Sequence, residues 1–165
     1  MQAFDITRLN FHSPYKVWGE KGSYKFLTDY GVQYRAEFVE NQDIWEDEKA
    51  YEFGILNENN KNSPNDPKVK KTVQCIIEEF FLTNPDILLY QCETGDDRQA
   101  MRARLFTKWF NEYDKRDWFC VKVSVIRDEE VNNYIAIIVQ KSNPKLSDIL
   151  HDFDEFVGFF GVKPE

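Results

Sequence analysis

The chain has 165 residues, of which 42% are hydrophobic and 16% aromatic, and its formal net charge at pH 7 is -8. This length and composition fit one compact domain over residues 1–165 with a single substantial core. The negative charge disfavours nucleic acid and anionic membranes as partners, because both repel an acidic protein at long range.

The first half of the chain predicts three antiparallel strands. Apolar and polar residues alternate over residues 23–29 and again over 32–39, which is the pattern of half-buried strands. Tyr30 and Gly31 stand between the two alternations, at the position of a hairpin turn. A third alternation, over residues 51–55, continues this meander.

A helix and a buried strand are predicted after the polar loop 57–66. Asp66 and Pro67 indicate the helix start, because Asp accepts hydrogen bonds from free amides and proline lacks the amide that would stay unbonded there. The apolar residues over 69–81 then follow helical spacing. Residues 87–92 form a nearly continuous apolar run, typical of a strand covered on both faces.

The rest of the chain predicts a helix over residues 97–113, a hairpin with strands at 119–125 and 134–140, and a last helix that starts at Asn143. The order is therefore βββαβαββα, a mixed and mostly antiparallel sheet of about six strands with three helices. The predicted fold class is α+β. Because a crossover helix precedes the strand at Ile87, that strand is expected to run parallel to at least one neighbour.

The predicted helix over 97–113 carries the first candidate binding site. It spaces Arg98, Arg102, Arg104 and Lys108 beside its apolar stripe. Guanidinium groups offer a planar fork for two-point recognition of phosphate, of a carboxylate or of an acidic patch on a partner. The alternative is a solvated helix face whose cations pair with some of the 29 acidic residues.

Two weaker candidates flank the start of this helix. Cys92 follows a strand and stands near Asp96, where a helix N-terminus lowers a thiol pKa and favours a nucleophile. No histidine is tied to that cysteine, because His12 and His151 are far away in sequence, so a buried inert thiol is the simpler interpretation. Asp96 forms with Asp97 a carboxylate pair of the kind that binds a cation or acts as acid and base, but helix capping explains the two residues more simply. No spacing of cysteine or histidine residues indicates a metal site.

The strand and helix around these candidates resemble part of the GNAT acyltransferase family. The segments 87–92 and 103–108 are similar to that family's strand and following helix, and the order of elements resembles the latter two-thirds of its fold. The resemblance implies an N-acyltransferase that uses acetyl-CoA or a related thioester. The chain also resembles small uncharacterised bacterial families of unknown function.

The chain departs from the GNAT pattern where that family binds its cofactor. The family holds the pyrophosphate of acetyl-CoA on a glycine-rich loop at a helix start, whereas the matching loop 57–67 contains no glycine. Asp66 is expected to occupy the amides that would bind the anion, and Pro67 removes one donor. Phe106 stands near the position of the family's tyrosine, which protonates the departing thiolate, and it has no hydroxyl group.

The sequence therefore predicts a non-catalytic binding or regulatory module without a cofactor. Such a module would meet a protein partner or a second copy of itself through an exposed strand edge or through the arginine-bearing helix. The alternatives are a divergent GNAT-like acyltransferase and a nucleic-acid-binding protein that uses the basic helix. The longest apolar runs are far shorter than the roughly 20 residues of a membrane span. With no secretory signal at the N-terminus, the expected location is cytoplasmic and no membrane partner is expected.

Overall fold

A computed structural model describes the protein over residues 1–92, 108–113, 116–128 and 131–160. Within these stretches the fold is mixed α+β, with seven strands that are mostly antiparallel and four α-helical segments. The predicted class is confirmed, and the counts exceed the prediction of about six strands and three helices. The strands are β1 Val17–Glu20, β2 Ser23–Leu27, β3 Gln33–Asn41, β4 Ala50–Asn57, β5 Ile87–Cys92, β6 Phe119–Asp128 and β7 Val131–Gln140.

The helices differ greatly in length. The helix α1 spans Ile6–His12, α2 spans Pro67–Thr83 and α3 spans Leu146–Phe160. Residues 108–111 are also helical, and a turn follows at Glu112, so the predicted helix over 97–113 ends two residues earlier than predicted. A short 3₁₀ turn, Arg116–Trp118, leads into β6.

The chain divides into two compact units. The first comprises Met1–Val39 and Phe53–Pro85, and the second comprises Glu40–Glu52 and Asp86–Glu165. The single domain over residues 1–165 stays a prediction.

In the first unit, β1, β2 and β3 form consecutive antiparallel hairpins. The predicted hairpin is confirmed, because Ser23 of β2 lies opposite Glu37 of β3 and the pairing continues to Leu27 opposite Gln33. Gly31 adopts a φ of +77° in the turn, a conformation that residues with a Cβ rarely take. The buried aromatic rings of this unit pack on one another around Phe38 and Phe80, which are stacked with centroids 5.2 Å apart.

The helix α1 and the strand β1 are absent from the sequence prediction. Seven residues are too few to form a stable isolated helix, and α1 is held instead by distant parts of the chain. Arg8 donates two hydrogen bonds to the buried carboxylate of Glu79, from Nε to Oε2 at 3.0 Å and from Nη2 to Oε1 at 2.6 Å. The Asp5 amide donates a third to Oε1 at 3.1 Å. Partners more than 70 residues away leave no local pattern in the sequence.

The second unit contains β5, β7 and β6, in that order of pairing. Both pairs are antiparallel, with Leu88 opposite Ile138 and Phe119 opposite Gln140, so the predicted second hairpin is confirmed. The Ile87 amide also donates to the carbonyl of Lys49, 3.0 Å away, at the residue before β4. The parallel neighbour of β5 stays a prediction.

The helix α3 covers one face of this second group of strands. Its Ile149 and Phe153 are fully buried against alternate residues of the neighbouring strands, and the Trp45 indole donates to the Ile149 carbonyl at 3.3 Å. The predicted last helix is thus present, and it begins at Leu146 rather than at Asn143. The buried residues of this core are Trp45, Ala50, Ile87, Leu89, Ile135, Ile137, Val139, Ile149 and Phe153.

Candidate functional site

Most of the predicted cationic face lies outside the described residues. This is the case for Arg98, Arg102 and Arg104, and for the weaker candidate Asp96. Lys108 is described, and it is exposed at the start of the helical residues 108–111. The grouping of the four cations on one face therefore stays a prediction.

Cys92, the second weak candidate, is the last residue of β5 and lies opposite Tyr134 of β7. Its strand position agrees with the sequence prediction, whereas its side chain lies outside the described set. Its proposed reactivity stays a prediction. Of the other two cysteines, Cys75 is buried and Cys120 is partly buried, and both are free thiols.

The start of α2 is capped by Asp66, as the sequence predicts. Asp66 is the N-cap of the helix, and its Oδ1 accepts a hydrogen bond from the Lys68 amide at 3.0 Å. Pro67 occupies the first helical position and has no amide hydrogen to offer. The amides of Lys68 and Val69, which would hold a phosphate at a helix start, thus donate to Asp66 instead, the second to its carbonyl at 3.0 Å, and the cap itself is an anion.

The second oxygen of the Asp66 carboxylate accepts a hydrogen bond from a buried tyrosine. The Tyr15 hydroxyl donates to Asp66 Oδ2 at 2.5 Å and accepts from the Asp29 amide at 3.2 Å. Burial raises the pKa of Tyr15 to about 12, and the hydrogen bond to Asp66 acts in the same direction. Lys68 lies over the tyrosine ring, 5.4 Å from its centroid, and pairs with Asp29 at 2.9 Å. Both oxygens of Asp66 therefore have partners within the protein.

The strand β6 presents an open edge in the second unit. It lies opposite β7 over all ten of its residues, and no other strand in the described stretches pairs with it. The Lys141 amide donates to the Trp118 carbonyl at 2.9 Å, in continuation of the register that places Phe119 opposite Gln140. Hydrogen-bonded pairs alternate along an antiparallel ladder. Even-numbered residues of β6 therefore point their main-chain groups at β7, and odd-numbered ones point theirs away from it.

The side chains of β6 differ between its two faces. Lys122 lies on the face covered by α3 and pairs with Asp154 of that helix at 2.5 Å. The opposite face carries the apolar residues Val121, Val123 and Val125, of which Val123 is 43% and Val125 is 36% exposed. We call the outward main-chain groups and side chains of these three valines the β6 edge.

The strand β1, which pairs only with β2 among the described strands, has a protected edge by comparison. It has four residues, and the side-chain amide of Asn10 binds both main-chain groups of its Val17, as a neighbouring strand would. The two bonds are 2.8 Å and 2.7 Å long. Gly19 has a φ of +136° and further interrupts the strand geometry. Short length and local capping are established ways to prevent strand addition, and β6 has neither of them in the described residues.

No group of three or more histidine, cysteine or acidic residues in the described stretches is arranged to hold a metal ion. None of the helices described is both long and apolar enough to cross a lipid bilayer.

A comparison with known protein families gives a match for this chain. The model of a family described as "Family of unknown function (DUF6169)" matches residues 65–155, which is more than half of the chain. The chain belongs to this family. The DUF6169 match includes Asp66, α2 and the whole of β6, whereas β1 and α1 precede it. No curated protein matches the chain. The GNAT resemblance and the bacterial origin remain unconfirmed.

The sequence prediction named an exposed strand edge as a binding surface without naming its residues. The alternation from Phe119 to Val125 is visible in the sequence and correctly predicts a strand. Whether a strand lies at the edge of a sheet depends on its pairing with distant segments of the chain. That information is absent from the local pattern, so the sequence alone does not single out Val121, Val123 and Val125.

Proposed function

We propose that this member of the DUF6169 family is a non-catalytic binding module that accepts an extended protein segment along the β6 edge. The observation that carries the proposal is the ten-residue strand β6, paired on one side only within the described residues. An added strand would receive main-chain hydrogen bonds from alternate residues of β6, which supply affinity without a preformed pocket. The exposed valines of β6 would supply the apolar contacts that set its specificity.

The proposed partner is a protein, and the geometry supports this choice. An extended polypeptide offers donors and acceptors at the spacing of a strand, whereas a nucleic acid offers phosphates that require cations. Between residues 119 and 125 the only charged side chain is Lys122, and Asp154 already neutralises it. We place the protein in the cytoplasm on the sequence expectation given above.

A GNAT-like acyltransferase is the second candidate function, because α2 follows β4 and precedes β5 in the order that the resemblance implies. The occupied Asp66 carboxylate argues against acetyl-CoA at the start of α2. Isothermal calorimetry with acetyl-CoA and with CoA tests this candidate directly. Saturable heat with either compound would favour transfer chemistry over the binding module. Nucleic-acid binding would depend on the four cations of the predicted 97–113 helix, and of these only Lys108 lies in the described residues.

The binding module is tested with a displayed library of random ten-residue peptides, selected against the full chain. We expect the enriched peptides to alternate apolar and polar residues, as strands with one packed face do. Synthetic peptides methylated at alternate backbone nitrogens then give a matched comparison. Methyl groups on the nitrogens that face β6 should abolish binding, and methyl groups on the intervening nitrogens should preserve it. Equal effects from both sets would contradict strand addition.

A further inference from the structure

The β6 edge has the properties required for pairing with itself. This inference rests on the proposed function and names the partner. We propose that the occupant is a second copy of the same chain, whose β6 lies antiparallel to the first about a two-fold axis at Val123. A two-fold contact places the same surface on both subunits, so that surface must complement itself.

The main-chain geometry allows only certain registers. The outward groups of β6 belong to its odd-numbered residues, so a hydrogen-bonded pair across the axis must join two odd residues. An axis at Val123 satisfies this condition, because Val123 faces Val123 of the second copy and Val121 faces Val125. Each of these pairs exchanges two main-chain hydrogen bonds between the copies.

The charge and shape of the side chains select among the remaining registers. An axis at Lys122 would place two ammonium groups directly opposite each other, which is destabilising. An axis at Ser124 would align Val121 with residue 127, an arginine in the sequence. The axis at Val123 matches every valine of the edge with a valine and places Lys122 opposite Ser124. Of these three axes it is the one that pairs all three valines with valines and brings no like charges together between residues 119 and 125.

The net charge of the chain does not oppose this contact. Although each copy carries a formal charge of -8, the single charged side chain between residues 119 and 125 is Lys122. That lysine is paired with Asp154, 2.5 Å away, on the face covered by α3. The two edges therefore meet through nearly neutral surfaces, and any remaining repulsion is screened at distances beyond about 10 Å at 0.1 M salt.

Disulfide cross-linking tests both the dimer and its register. In the proposed arrangement the Cα atoms of the two residues 123 are about 5.5 Å apart, within the range that a disulfide bridges. The two residues 125 are about 14 Å apart, because each is displaced by two strand residues from the axis. Under mild oxidation, Val123→Cys should form a covalent dimer that reducing agent dissolves. Val125→Cys, an exposed valine of the same strand, is the matched control and should stay monomeric on a denaturing gel.

Sedimentation equilibrium of the unmodified chain supplies the independent measurement. We expect a reversible dimer whose dissociation constant rises by about tenfold or more in Val123→Lys, since the substitution places like charges on the axis. Val39→Lys, at an exposed valine of β3, should leave the dimer intact. Circular dichroism shows whether each variant is folded. If Val123→Lys does not fold, cross-linking of Val123→Cys decides whether the dimer forms.

Several outcomes would overturn the inference. They are a monomer at every concentration with no cross-link, a dimer that Val123→Lys leaves unchanged, and equal cross-linking of the two cysteine variants. A monomer that still selects strand-like peptides would overturn the homodimer and keep the proposed function. Loss of both would overturn the two together.

Discussion

The carboxylate of Asp66 closes the start of α2, and its removal provides the most informative stability measurement on this protein. In Asp66→Ala the Lys68 amide loses its acceptor and the buried Tyr15 hydroxyl loses the partner 2.5 Å away. The loss of an N-cap costs about 1 kcal/mol. A buried hydroxyl left without its acceptor costs about 1–3 kcal/mol. The Asp29 amide still donates to the Tyr15 oxygen, which keeps the second cost near the lower end.

We therefore expect Asp66→Ala to lower the free energy of unfolding by about 2–3 kcal/mol, a large part of the 5–15 kcal/mol typical of a protein. The melting temperature should fall by about 5–10 °C. Asp66→Asn should cost about 1 kcal/mol, because asparagine caps helices as well as aspartate does, whereas its side-chain NH2 group cannot accept the hydrogen bond of the Tyr15 hydroxyl. Urea unfolding, followed by circular dichroism, measures the free energy of unfolding of the unsubstituted chain and of both variants.

The control is Asp29→Ala, which removes an exposed carboxylate near the same tyrosine. Asp29 pairs with Lys68 through its side chain, but its main-chain amide is the group that contacts Tyr15. A surface pair of this kind contributes about 0–1 kcal/mol. If Asp66→Ala is no more destabilising than Asp29→Ala, Asp66 does not close the helix start. Acetyl-CoA binding at that position would then no longer be disfavoured.

Three further measurements probe other parts of the fold. Arg8→Ala should destabilise by about 1–3 kcal/mol in urea unfolding, because it leaves the buried Glu79 carboxylate without its cation; an unchanged midpoint would mean that the Arg8–Glu79 pair contributes nothing to stability. Phe153→Ala should cost about 3–5 kcal/mol in the same assay, since Phe153 is fully buried, whereas Phe159→Ala, at a side chain 78% exposed, should stay within about 0.5 kcal/mol. The pKa of Tyr15 is raised to about 12 in the folded protein. The contribution of Tyr15 to the free energy of unfolding is therefore complete below pH about 10, near which a tyrosine of the unfolded chain ionises. It is lost as the pH rises through the pKa of the folded state. Alkaline unfolding should therefore show a decline of about 2–3 kcal/mol that Tyr15→Phe removes, and an identical decline in both proteins would rule out Tyr15 as its source.

Local signals were sufficient for the longest elements. Asp66 and Pro67 specify where α2 begins because their effect is on adjacent amides, and the structure places both residues as predicted. The alternation in β2, β3 and β6 likewise predicts strands, because one face of each strand packs on the protein. These features depend on neighbours within a few residues along the chain.

Tertiary contacts decide the elements that the sequence does not reveal. The helix α1 depends on Glu79, and the edge of β1 depends on the side-chain amide of Asn10. Neither interaction has a pattern in the surrounding residues. The β6 edge is a similar case, because a strand has the same alternation whether it lies at an edge or between two neighbours. The candidate cations Arg98, Arg102 and Arg104 lie outside the described residues, so their role stays a sequence prediction.

The Asp66 cap and the β6 edge bear on function through different physics. At the start of α2 the donors that an anionic cofactor needs are used within the protein, which weighs against transfer chemistry at that position. Along β6 the main-chain groups of alternate residues face away from β7 over most of the strand. An interface of that kind depends on backbone geometry, so it tolerates replacement of one valine by another β-branched residue. Binding that survives Val123→Thr but fails in Val123→Lys would therefore mark β6 as a surface recognised through its backbone geometry.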